Sequence, residues 1–124
     1  MQEYQVTVDH NKTVWRQNGV YHRLDGPAVG YSGRGSKWWY KNGELHREDG
    51  PAIVWLNGSK EWYKNGELHR EDGPAVERNN GYKQWWITGT RYTEAEFLSK
   101  TQPATELTIA EIEQQLGYKI KLVK

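Results

Sequence analysis

Cysteine is absent from the 124-residue chain, methionine and phenylalanine occur once each, and proline occurs four times. Without cysteine there is no disulfide, no thiol nucleophile and no thiolate metal site. Aliphatic residues are scarce too: Leu, Ile, Val and Phe total 22. Such scarcity points to disorder only when net charge is large and aromatics are few. Here the net charge is +1, with seven Trp and eight Tyr. The composition therefore predicts one modest domain whose core is built largely from rings. No apolar run is long enough to span a bilayer, and the opening MQEYQVTVDH lacks a signal-peptide h-region. The expectation is a cytoplasmic chain with no membrane partner. Balanced charge likewise removes any compositional case for nucleic acid.

What the chain has in abundance is repetition. Tyr40–Ala52 and Tyr63–Ala75 both read YKNGELHREDGPA. A looser copy runs through Asn18-Gly19, His22-Arg23 and Asp25-Gly26-Pro27-Ala28, and a fourth fades after Trp85 and Gly89. Aligned on Gly19, Gly43, Gly66 and Gly89, the copies are spaced by 24, 23 and 23 residues, a period that signals stacked repeats. Asn-Gly supplies the two positive φ angles of a type I′ hairpin turn, and the segments between turns have strand length. Asp-Gly-Pro reads as a corner, in which Asp bonds backbone ahead of it, Gly relaxes φ and Pro ends a ladder. The turns at 33–36, 57–59 and 79–81 contain glycine, but a phosphate cradle needs a following helix, so they read as plain hairpin loops.

The predicted fold is mainly β (α+β): an antiparallel β-hairpin repeat meander of about 23 residues per unit, with short C-terminal helices and a closing strand. Residues 1–92 form the repeat sheet, with units near 13–36, 37–59, 60–82 and 83–92, and residues 93–124 form a cap within the same domain. Tyr4, Val6 and Val8 alternate with Gln5 and Thr7, predicting a strand with one buried face that pairs with 13–17. Thr93 and Glu96 form a capping box, with Tyr92 and Phe97 as a hydrophobic staple, predicting a helix to about Lys100. Thr108 with Glu111, and Leu107 with Ile112, repeat that signature. Ile109, Ile112 and Leu116 share one face of this second helix, and Gly117 stands at its C-terminal cap. Tyr118, Ile120 and Leu122 then alternate with lysines in a closing strand.

The aligned columns assign roles. Trp15, Trp39, Trp62 and Trp85 form the predicted core ladder, while Arg16, Tyr40, Tyr63 and Trp86 point to the opposite, half-exposed face. His22, His46 and His69 each precede an aspartate by three residues: Asp25, Asp49 and Asp72. Equivalent positions two strands apart are separated by roughly 9–10 Å, whereas ligands about 2.1 Å from one zinc lie within about 4 Å of each other, so no metal is expected. Three equivalent His–Asp pairs also argue against one catalytic base. The structural reading is that each His bonds turn backbone while Arg23/Asp25, Arg47/Asp49 and Arg70/Asp72 staple the corners. Glu44, Glu48, Glu67 and Glu71 read as a solvated face. Neither catalysis nor a cofactor is expected.

If repeated residues are scaffold, function sits where the copies differ. Trp38 shares a column with Val14, Glu61 and Gln84, and Trp55 with Tyr31 and Arg78. Trp86 replaces Tyr or Arg, and Arg34 tips the longest loop. Trp, Tyr and Arg are enriched in interface hot spots, so Trp38, Tyr40, Trp55, Trp86 and Arg34 form the candidate partner-binding set. Packing beneath the terminal helices is the competing reading, of equal weight for Trp38 and Trp55 and stronger for Trp86.

The stretch WWYKNGELHREDGPAIVWLNGSKEWYKNGELHREDGPA resembles the tandem repeat of small proteins from tailed phages, bacteria and large viruses, and is similar to a distant variant of the MORN-type repeat. The resemblance spans Trp15–Tyr92, around two thirds of the chain. The tail LTIAEIEQQLGYKIKLVK resembles a segment common in small phage-type proteins. MORN repeats carry more glycine and lack His-Arg-x-Asp-Gly-Pro, so their membrane roles do not carry over. The resemblance implies a non-catalytic accessory protein that binds a host protein, such as a defence component, in the host cytoplasm. The alternative is a small-ligand binder holding a nucleotide or sugar between aromatic faces and Arg34, Lys37 and Lys83. A homodimer through an aromatic face is also open. Gln2–Val8 and Tyr118–Val123 are the expected edge strands, the latter protected by lysines.

Overall fold

The Asn-Gly steps form the turns their chemistry predicts. Asn18, Asn42 and Asn65 lie at φ 53°, 51° and 50°, and the following glycines at 79°, 82° and 81°, the paired left-handed residues of a type I′ turn. Thr88-Gly89 repeats the geometry at 47° and 75°. The computed structural model describes residues 3–102 and 109–117.

Among the described residues, fourteen short strands follow from these turns: β1 (Gln5–Asp9), β2 (Lys12–Gln17), β3 (Val20–Tyr21), β4 (Val29–Tyr31), β5 (Lys37–Trp38), β6 (Tyr40–Lys41), β7 (Glu44–Leu45), β8 (Ile53–Val54), β9 (Lys60–Glu61), β10 (Tyr63–Lys64), β11 (Glu67–Leu68), β12 (Val76–Glu77), β13 (Lys83–Ile87) and β14 (Thr90–Tyr92). The main antiparallel sheet runs β1-β2-β4-β5-β8-β9-β12-β13-β14 with β3 on β2, while β6–β7 and β10–β11 form separate ladders at the Asn-Gly hairpins. Each tryptophan of the repeat is the pivot between the two. Trp39 donates its N–H to Ala52 O at 2.7 Å on the sheet side, and its carbonyl accepts His46 N–H at 3.0 Å on the hairpin side. Trp62 does the same with Ala75 and His69, at 2.8 and 3.0 Å. Successive hairpins are joined as Gly43, Gly66 and Gly89 donate to the carbonyls of Tyr21, Leu45 and Leu68 at 2.9–3.0 Å. This is the mainly β hairpin-repeat meander read from the sequence.

The core differs from the expected ring ladder. Ala28, Ala52 and Ala75 are wholly buried (0 %), Val14, Val29, Ile53 and Val76 nearly so, and Trp15, Trp39, Trp62 and Trp85 only half-buried. The wholly buried positions are thus the small alanines, while the tryptophans beside them in sequence or ladder keep part of their surface in solvent. The first strand also departs from expectation. β1 is exposed along its whole length and has no buried face, with Val6 at 45 % and Val8 at 71 % exposure.

Helix α1 (Glu94–Thr101) begins at the predicted capping box: Glu96 N–H donates to Thr93 Oγ1 at 3.2 Å, and Thr93 N–H donates to Glu96 Oε1 at 3.1 Å. It packs on β13 and β14 and buries Phe97. Helix α2 (Ile109–Leu116) ends at Gly117, φ 77°, whose N–H donates to Glu113 O. The expected Thr108 cap, the Leu107–Ile112 staple, the apolar helix face and the closing strand Tyr118–Val123 lie outside the described residues. Among those described, no helix is long and apolar enough to cross a membrane.

Candidate functional site

One face of the sheet carries the corners. Arg23, Arg47 and Arg70 lie flat over Trp15, Trp39 and Trp62, with Cζ 3.9, 3.9 and 3.8 Å from the ring centroids. Each guanidinium Nε donates to the aspartate two residues on, Asp25, Asp49 or Asp72, at 2.8–2.9 Å. Each Nη1 donates to the carbonyl of Pro27, Pro51 or Pro74. These bonds hold the three Asp carboxyls below the usual range, the Arg hydrogen bond being the largest cause. A β-carbon on Gly26, Gly50 or Gly73 would lie 2.8–2.9 Å from the guanidinium carbon. None of these glycines has positive φ. Glycine therefore serves clearance in the corner, where the sequence had suggested backbone freedom.

The histidines bond turn backbone, as expected, but in the neighbouring unit. His22, His46 and His69 accept the N–H of Asn42, Asn65 and Thr88 at Nδ1, at 2.9, 3.0 and 2.9 Å. An accepting Nδ1 leaves the ring proton on Nε2, and in His46 that nitrogen donates to Glu48 Oε1 at 2.7 Å. Glu48 also meets Lys64 Nζ at 3.2 Å; its carboxyl is held low, by Lys64 first and His46 second. A groove of about 590 Å³ between these corners is lined by Arg47, Asp49, Trp62, His69, Arg70 and Asp72, in which Arg47 is paired with Asp49 and Arg70 with Asp72.

The opposite face is aromatic. The cross-strand row Val14, Val29, Trp38, Ile53, Glu61, Val76 and Gln84 is continuous in the register. Trp38 therefore stands between two buried aliphatics, Val29 and Ile53. It meets Tyr31 and Trp55 edge to face, at centroid distances of 6.1 and 5.7 Å. Trp55 Nε1 donates to Glu61 Oε2 at 2.6 Å, and Tyr63 OH to Glu61 Oε1 at 3.4 Å. Burial, and secondly Glu61, pushes the Tyr63 hydroxyl pKa up. Tyr40 packs on Tyr21 at 5.1 Å, and burial raises its hydroxyl pKa also. Trp86 Nε1 donates to Gln84 at 3.0 Å, beside a chain in which Gln84 and Arg91 donate to the Tyr82 hydroxyl.

Of the predicted binding residues, Trp38 and Trp55 are brought together, with Tyr40 two residues along the chain from Trp38, in the next strand. Arg34 is exposed at its loop tip, lining a groove of about 480 Å³ with Tyr31, Ser36 and Leu56. Trp86 stands apart in β13, four strands from β5 in the sheet order. Lys37 and Lys83 occupy the row Gly30, Lys37, Val54, Lys60, Glu77 and Lys83, on the corner face. Sequence reasoning missed Glu61, Tyr21 and the serines. Ser36 and Ser59, 23 residues apart, accept the N–H of Leu56 and Asn79 in the next unit at 2.8 and 3.0 Å, and that spacing was the available signal. Comparison with family models, curated proteins and solved structures yields no match. Function therefore rests on this geometry.

Proposed function

We propose that the protein is a non-catalytic binding protein that docks a partner protein on its aromatic face. The observation behind this reading is the edge-to-face run Tyr31–Trp38–Trp55, half-exposed and bordered by Leu56 at 71 % exposure. Rings held by neighbouring packing lose little entropy on contact, and with arginine at the rim they have hot-spot composition. The repeat wording HREDGPA extends the reading to a phage or mobile-element accessory protein that modulates a host protein in the host cytoplasm. The small-ligand alternative has less support, because Lys37 and Lys83 lie on the face opposite Trp38 and Trp55. The commitment of both His46 nitrogens supports a structural rather than a catalytic role.

The test is affinity capture from host lysate with wild type, Trp55→Ala and, as an opposite-face control, Lys37→Ala. Trp55 is preferred to Trp38, which is the cross-strand neighbour of the buried Val29 and Ile53. One protein held by wild type and Lys37→Ala but lost by folded Trp55→Ala is the expected result. Undiminished capture by Trp55→Ala would overturn the site. No captured protein would overturn the class of partner.

A further inference from the structure

The two ends of the sheet are unlike. At the C-terminal end, α1 packs on β13 and β14. At the N-terminal end β1 is outermost, and among the described residues no strand pairs its outer edge. A stack of repeats needs both ends closed, and β1 lacks the usual protection of an edge. It contains neither lysine nor proline, is five residues long, and reads Gln-Val-Thr-Val-Asp. Apolar surface gathers there as well. Tyr4, Val6 and Val8 are exposed at 38 %, 45 % and 71 %.

The register fixes which backbone groups are available. Asp9 and Lys12 flank a two-residue turn and face each other across the ladder, and the residues closing such a turn form a doubly hydrogen-bonded pair. By alternation Gln5, Thr7 and Asp9 bond to β2, while Val6 and Val8 direct N–H and C=O outwards. The two valines are placed symmetrically about Thr7. An antiparallel second copy centred there sets Val6 against Val8 of its partner twice, covering all four valines on one face. Gln5 then faces Asp9, a neutral group against the only charge.

We propose that β1 is the self-association edge of this protein, pairing antiparallel with β1 of a second copy to give a two-fold dimer with one continuous sheet. The interface is isologous, as a closed dimer requires. It is independent of the aromatic face and leaves that face free in both copies.

Sedimentation velocity across a concentration series, with wild type and Val6→Lys/Val8→Lys, tests the pairing. Both valines are exposed, so the variant keeps its circular dichroism and near-wild-type melting. Wild type is expected to shift from monomer to dimer with concentration, while the variant stays monomeric. Thr7→Cys supplies a second measurement in a chain with no other cysteine. Thr7 would face its own copy in a non-hydrogen-bonded pair, about 4.5 Å between Cα atoms, close enough for a disulfide. Mild oxidation should cross-link Thr7→Cys at least tenfold faster than the exposed control Thr90→Cys. A wild type monomeric throughout, a dimer unaffected by the lysines, or equal cross-linking rates would each overturn the proposal. So would loss of a captured protein in the lysine variant of a monomeric wild type, which would assign the edge to a foreign strand.

Discussion

Nδ1 of His22 accepts the backbone N–H of Asn42, twenty residues downstream and one repeat unit on, at 2.9 Å. His46 does the same for Asn65, and His69 for Thr88. The imidazole thus occupies the gap between one Asn-Gly turn and the hairpin before it, linking units that the main sheet already joins at its other end.

Replacing that acceptor leaves a turn N–H without its partner. His46→Phe keeps an aromatic ring but removes the acceptor, and is expected to cost about 1–2 kcal/mol. Chemical denaturation measures the loss, and amide exchange should show selective acceleration at Asn65. A uniform increase across all units would instead mean that the histidine acts only through global stability.

Asp25, Asp49, Asp72 and Glu48 are held below their ordinary carboxyl pKa values by Arg23, Arg47, Arg70 and Lys64. A folded-state pKa below the unfolded value of about 4 stabilises the fold fully at higher pH and is lost as pH falls through the folded value. Melting temperature is therefore expected to drop below about pH 4. Asp49→Asn/Asp72→Asn should lower it at neutral pH and flatten the acid limb, as a calorimetric pH series would show.

Gly50 admits the Arg47 guanidinium against Trp39. A methyl group there meets Cζ at 2.9 Å, so the guanidinium must shift from its seat between the ring, Asp49 and the Pro51 carbonyl. Gly50→Ala is expected to cost about 0.5–1 kcal/mol. In Arg47→Ala the same change should cost little, and a double-mutant cycle on denaturation free energies reads that difference.

Thr88 holds φ 47° at the position filled by Asn in the other three turns. A β-branched residue is strained there. Thr88→Asn is expected to stabilise by about 1 kcal/mol, raising the melting temperature by roughly 3–5 °C. The expectation fails if the 3.3 Å contact of Thr88 Oγ1 with His69 Nδ1 outweighs the strain and the variant melts lower.

Local rules were legible wherever a residue's role depends on its immediate neighbours. The Asn-Gly turns, the Arg–Asp corner and the Thr93–Glu96 box depend on contacts two to four residues apart and appear where expected, and the 23-residue period is written in the order of residues. The Trp38–Trp55 pair was legible because the period aligns columns and alternation divides them between faces. Glu61 was not singled out as the acceptor for Trp55 Nε1, because a column position alone does not show which ring reaches across to it.

Sequence alone determined that this chain is a β-hairpin repeat, since turn geometry is a short-range property of residue type and the period is written in the order of residues. Tertiary structure decided the rest. Shielding is collective, so only the assembled sheet shows small Ala and Val buried beside half-exposed rings. Clearance is a contact between groups, so only the packed corner shows Gly50 yielding to a guanidinium. Pairing across units requires both partners in place, so only the stacked hairpins show each histidine serving the turn of the next repeat.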